Sequence, residues 1–228
     1  MTAIDVIDYA AFAWFILLVT GFQVLSARPA IVARSIAGGM QKHRVEWMRT
    51  MAERENRGSD AILLSTLGQG NAFFASTSAI AIGGLAAIVG SADKADAVLA
   101  HVPFVAKTSA LLWQLKVVLL IGIFVYAFFK FAWAFRLTHY TAIMVGAMPN
   151  PGMGTPADVD RQVQATARIN GLAADHSNSG LRSFYYAAAA LTWFFNPFVF
   201  IAATTWVGLI LIRRDFFSRS RRLIATGQ

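Results

Sequence analysis

The sequence predicts an all-α protein, a multi-pass transmembrane helical bundle of about four spans with amphipathic helices on the cytoplasmic side. Three observations predict it. Hydrophobic residues make up 57% of the 228 positions and charged residues 14%, against roughly 45–50% and about 25% in soluble domains. The apolar residues are gathered in blocks long enough to cross a ~30 Å hydrocarbon layer. The basic residues flank these blocks, so the net charge of +8 points to membrane orientation and anionic headgroups, not to nucleic acid. The whole chain reads as one integral-membrane domain.

The first block, about residues 9–27, carries no charge and ends at Arg28-Pro29. The start, MTAIDVID, has two acids and no basic residue. A signal peptide needs a basic start, so the block is expected to be an uncleaved span. The second block, about 61–90, follows Ser59-Asp60, which suits a helix start with an acidic first turn. The third, about 108–135, is interrupted by Gln114, Lys116 and Lys130. The fourth, about 183–212, is longer than a bilayer needs and is divided by Asn196-Pro197. That break makes either one kinked span or a re-entrant hairpin shielded by protein.

Segments 28–60 and 136–182 are assigned to the cytoplasm. Within the first, residues 39–57 read as a helix with Val45, Met48, Met51 and Ala52 on one side. It either lies along the membrane surface or extends the second span as a solvated helix. In the second, MPNPGMG is a turn-rich break, and Thr155-Pro156 gives an N-cap followed by proline at the first helical position.

Counting Lys and Arg beside four spans favours an N-terminus outside, in a bacterial inner membrane. Eleven basic residues then lie inside and seven outside, but the five arginines of the C-terminal tail fall on the wrong side. Folding the fourth block back at Asn196-Pro197 returns that tail to the cytoplasm. The count becomes sixteen against Lys94 and Lys107.

Cysteine is absent, which removes disulfides, thiolate metal sites and cysteine nucleophiles. The four histidines, His43, His101, His139 and His176, stand apart near span ends, so interfacial or capping roles are expected. No nucleophile elbow or nucleotide loop is present. No cofactor, metal or catalytic residue is assigned. Trp113, Trp133, Trp193 and Trp206 read as interface anchors or packing.

Asn71, Ala75, Ala79, Gly83 and Ala87 form a stripe of small residues at every fourth position of the second span. That spacing lets helix backbones approach closely, so the stripe is a candidate for self-association or for docking on another membrane protein. A second candidate is a solute or ion site from Gln69, Asn71, Ser76, Thr77 and the Asn196-Pro197 break. No Asp or Glu lies deep in any apolar block, which counts against proton-coupled transport. Arg136, Arg182, Lys116 and Lys130 are candidate lipid-headgroup contacts, the two arginines bracketing one headgroup and the lysines snorkelling to it. Lys116 has an alternative partner in Asp8, at the outer end of the first span.

Several runs carry a resemblance. RENRGSDAILLS (Arg54 to Ser65) is followed by GNAFFASTSAIAIGGL (Gly70 to Leu85). Later come FFKFAWAFR, HSNSGLRSFYY, WFFNPFVF and RRDF. The chain resembles, over nearly its whole length, the uncharacterised membrane-protein family termed domain of unknown function 599, found in bacteria and plants. The resemblance implies a multi-span membrane protein and supplies neither activity nor catalytic residues. The expected role is therefore a membrane structural or interaction protein, with solute passage as the alternative.

Overall fold

The computed structural model describes residues 3–89 and 109–226. The segment with Lys94, His101 and Lys107, and the expected span ends Gly90 and Thr108, lie outside the described residues. In chain order the helices are α1 (Ala3–Ser26), α2 (Pro29–Val32), α3 (Ile36–Ala52), α4 (Gly58–Val89), α5 (Ala110–Gly146) and α6 (Pro156–Leu191). A 3-10 turn (Thr192–Phe194) leads to α7 (Pro197–Phe217) and α8 (Arg219–Thr226).

Four stretches are long and apolar enough to cross a membrane: Val6–Ser26, Gly58–Val89, Leu111–Gly146 and Pro197–Ile224. The protein is an integral multi-pass membrane protein. Helices dominate because hydrocarbon offers backbone N–H and C=O groups no partner outside the segment itself.

Side by side, the long helices run α4, α5, α6, α7, α1. Phe74 stacks on Phe131 at 5.1 Å between α4 and α5. Phe124 and Phe131 meet Phe184 between α5 and α6. Trp14 Nε1 donates to Thr205 Oγ1 at 3.0 Å between α1 and α7. The close crossing of α5 and α6 is at Gly180, where a Cβ would come within 2.6 Å of the Phe131 ring. Only glycine lets α6 approach α5 that closely.

The chain reverses at Asn196-Pro197, which excludes the single kinked span, but the hairpin is not a short re-entrant one: its returning arm, Pro197–Ile224, is itself long enough to cross. Residues Ser183 to Leu191 complete α6, and Pro197 opens a separate helix running back. Arg182 Nη2 lies 3.9 Å from Asp215 Oδ2; in one continuous helix those residues would stand about 50 Å apart. Proline disfavours helical backbone at the residue before it. Asn196 is accordingly extended (φ −160°, ψ 134°), and its Oδ1 accepts the Phe198 N–H at 2.8 Å.

The amphipathic segment also departs from both expectations. Its apolar side is covered by protein instead of lipid or water. Met48 and Met51, both fully buried, pack with Leu64, Val145, Met148, Val163 and Ala167. This second core forms because α6, at about 54 Å for 36 residues, overshoots the ~30 Å layer and offers its first turns to α3. The Thr155 hydroxyl caps α6 as its sequence implies, accepting from Asp158 N. In the preceding turn Gly152 and Gly154 have φ of +80° and +87°. Arg57 pins that turn by donating to the Met148 and Pro149 carbonyls.

Candidate functional site

The outer face of α4 is the least covered surface of the bundle. Its membrane-length stretch is 6% buried, against 28% for Leu111–Gly146, and α4 packs chiefly on α5. The small-residue stripe divides along its length. Asn71 is buried and Ala75 half-buried, while Ala79, Gly83 and Ala87 are exposed. A Cβ at Gly83 or Gly84 would meet nothing within 4 Å. Ile80 and Ile88 flank this notch and are 77% and 42% exposed.

The expected solute site is not assembled. An α-helix turns about 100° per residue, so Gln69, Asn71, Ser76 and Thr77 cannot share one face of α4. Gln69 is exposed and donates to Ser65 Oγ at 3.2 Å. Thr77 Oγ1 donates to the Phe73 carbonyl of its own helix, and Ser76 is exposed. Asn71 faces a cavity beside Arg44 and Asn170. Asn196 caps α7 at the opposite end of the bundle, next to Trp193.

The headgroup assignments divide as well. Lys116 takes its alternative partner, Asp8, and does not snorkel: its side chain is 2% exposed. Its Nζ lies 3.4 Å from Asp8 Oδ1 and donates to the Trp193 carbonyl at 2.9 Å. Trp193 Nε1 donates to the same carboxylate at 2.6 Å. Trp193 is therefore no interface anchor either, being 1% exposed and stacked on Phe12 and Phe200. Lys130 is half-buried, 3.5 Å from His176 Nδ1 and over the Tyr126 ring. Arg136 and Arg182 do not bracket one headgroup. Arg136 is exposed and donates to Tyr140 one turn along α5, whereas Arg182 lies between Phe22, Ser26 and Asp215.

Two groups escaped the sequence reading. Asp60 is fully buried and accepts from Trp47 Nε1 at 2.7 Å and from Arg54 at 2.9 and 3.1 Å, latching α3 to the start of α4. The only signal was an acid in a helix first turn. Asp175, on α6, faces the interior beside Arg182, Asn178 and Asp215. Burial holds its carboxyl above its ordinary range, against the pull of Arg44, Arg182 and His176. Burial likewise lowers Arg44. His176 is pushed down by burial first and by Lys130 second.

The family model described as "Protein of unknown function, DUF599" matches residues 10–220. No curated protein and no solved structure matches the chain.

Proposed function

The chain belongs to that DUF599 family, and from this premise we propose that it is a membrane interaction protein that self-associates through the outer face of α4. The Gly83–Gly84 notch carries the reading. Each glycine inside a helix is unfavourable by roughly 0.5–1 kcal/mol relative to alanine. Lipid gains nothing from it, since acyl chains cover leucine equally well. A second helix does gain, because small residues admit a close backbone approach where van der Waals contact drives association.

The arginine distribution supports an N-terminus outside and a C-terminus inside the bacterial inner membrane. With α7 running back, sixteen basic residues fall in the segments assigned to the cytoplasm. The last turns of α6, from Ser183, then enter the membrane with the 3-10 turn as a fifth, protein-shielded segment. Its Ala187, Ala189 and Ala190 are buried, which explains how a helix of modest hydropathy enters at all. Solute passage is the weaker reading, because Gln69, Asn71 and Asn196 do not meet.

The chain contains no cysteine, which makes the test direct. Ala79→Cys, Gly83→Cys and Ala87→Cys, each in the full chain in native membranes, are oxidised and resolved by mass. Disulfide dimers from the three exposed positions, and none from buried Ala127→Cys, support self-association. Monomers throughout, together with one copy per particle by single-molecule counting, refute it. Cross-linked bands of another mass would replace the second copy by a different membrane protein.

A further inference from the structure

A cavity of about 540 Å³ lies where α3, α4, α5 and α6 converge, on the arginine-rich end. It has the size of a small-molecule site. Arg44 of α3 lines it and is half-buried, yet meets no carboxylate at ion-pair distance among the described residues. Its Nε donates to Asn170 Oδ1 at 3.1 Å. The two Nη groups, with four N–H donors, have no acceptor among the described residues. A half-buried guanidinium with unused donors suits an anion, and its planar fork fits a phosphate or carboxylate.

A second observation is independent of the charge. Asn71 lines the same cavity from α4, is 6% exposed, and has no hydrogen-bond partner among the described residues. Buried amides are ordinarily paired. Asn178 brings a further amide from α6. The rest of the lining joins His43, Thr138 and Ser177 to an apolar wall that includes Met40, Trp47 and Leu67. Leu67, one turn before Asn71 in the lining, is 52% exposed on a membrane-length helix, so the cavity opens where a lipid tail would run.

We infer that this cavity binds an anionic ligand, a phosphate or carboxylate joined to an apolar body, with Arg44 holding the charge and Asn71 and Asn178 donating beside it. The ligand is either an anionic phospholipid headgroup or a free amphipathic anion; both present the same group to Arg44. Asp175 acts as the competing countercharge, since it is the carboxylate whose field reaches Arg44.

Full-length protein in mild detergent is titrated with dihexanoyl phosphatidylglycerol and, separately, with dihexanoyl phosphatidylcholine, and bound copies are counted by native mass spectrometry. Saturable one-to-one binding of the anionic probe, and not of the zwitterionic one, is expected. Arg44→Met should weaken it about tenfold or more, the scale of a lost charge-assisted hydrogen bond. Asn71→Leu should weaken it less, and Asp175→Asn should tighten it. Arg136→Met, on the far exposed side, should leave it unchanged. Inorganic phosphate that competes points to a free anion, and phosphate that does not compete points to the lipid. Equal retention of both lipids overturns the inference, as does phosphatidylglycerol affinity that Arg44→Met leaves intact. Should Arg44→Met fail to fold, an affinity unmoved by Asp175→Asn overturns it.

Discussion

The Asp8–Lys116 pair gives the sharpest test of how α1, α5 and the α6–α7 turn are joined. Both side chains are 2% exposed. Replacing Lys116 by Met leaves the Asp8 carboxylate buried with the Trp193 indole N–H alone. It also strips the Trp193 carbonyl of its donor. Removing one member of a buried pair costs roughly 3–5 kcal/mol, most of it the uncompensated charge left behind. Asp8→Asn alone should cost a similar amount, because it leaves a buried ammonium. The double variant removes both charges, while the amide oxygen introduced by Asp8→Asn still accepts from the indole. What it lacks is the bond to the Trp193 carbonyl, worth about 1–3 kcal/mol for a group left unsatisfied. The cycle therefore predicts that the double variant is more stable than either single one, with a coupling of roughly 6 kcal/mol. Every 1.4 kcal/mol is about tenfold in the unfolding equilibrium, so the effect is well within reach of reversible unfolding in bicelles titrated with dodecyl sulfate. Additive single variants, with coupling below about 0.5 kcal/mol, would refute the buried pair and return Lys116 to the headgroups.

Three further outcomes are expected. Gly180→Ala should destabilise by about 1–3 kcal/mol through overpacking, since its Cβ would press on the buried Phe131 ring; Phe131→Leu in the same chain should recover part of the loss. The Asp175 carboxyl is raised above its ordinary value of 3.8 by burial, so the fold favours its protonated form. Its contribution to stability is greatest below that value and is lost as pH rises through the folded value. Asp175→Asn should therefore melt higher than the natural chain at pH 7, and the gain should vanish toward pH 3 in thermal melts of detergent-solubilised protein. In intact spheroplasts, an impermeant maleimide should label Thr2→Cys at once but Thr50→Cys and Ser220→Cys only after permeabilisation; labelling of Ser220→Cys from outside would reverse the assigned topology.

Much of this protein was legible as local chemistry. The apolar blocks, the Thr155-Pro156 start and the Asn196-Pro197 break each depend on a few neighbouring residues, because helix hydrogen bonds and caps close within one turn. In a membrane that locality is enforced, since no distant group can satisfy the backbone. The family resemblance was also carried by contiguous runs, and the match over residues 10–220 agrees with it.

The direction of the chain after Asn196 was not local. A proline break permits either a kink or a reversal, and the choice rests on contacts such as Arg182 with Asp215 and Trp193 with Phe12. The functional candidates divided in the same way. Asn71 and Gln69 are two residues apart and read as one polar patch, yet helix rotation sends one into a cavity and the other outward. Lys116 and Asp8 are 108 positions apart and find each other only because α1 and α5 both border Trp193. Sequence alone determined which blocks are helical and where the Thr155-Pro156 start and the Asn196-Pro197 break fall, whereas the helix of the third block runs on to Gly146, past the expected end at 135, and the amphipathic helix stops at Ala52, short of 57. The packed bundle decided which polar side chains are neutralised, which are left facing a cavity and which face of α4 is bare, because burial is a property of neighbours that the chain brings together only on folding.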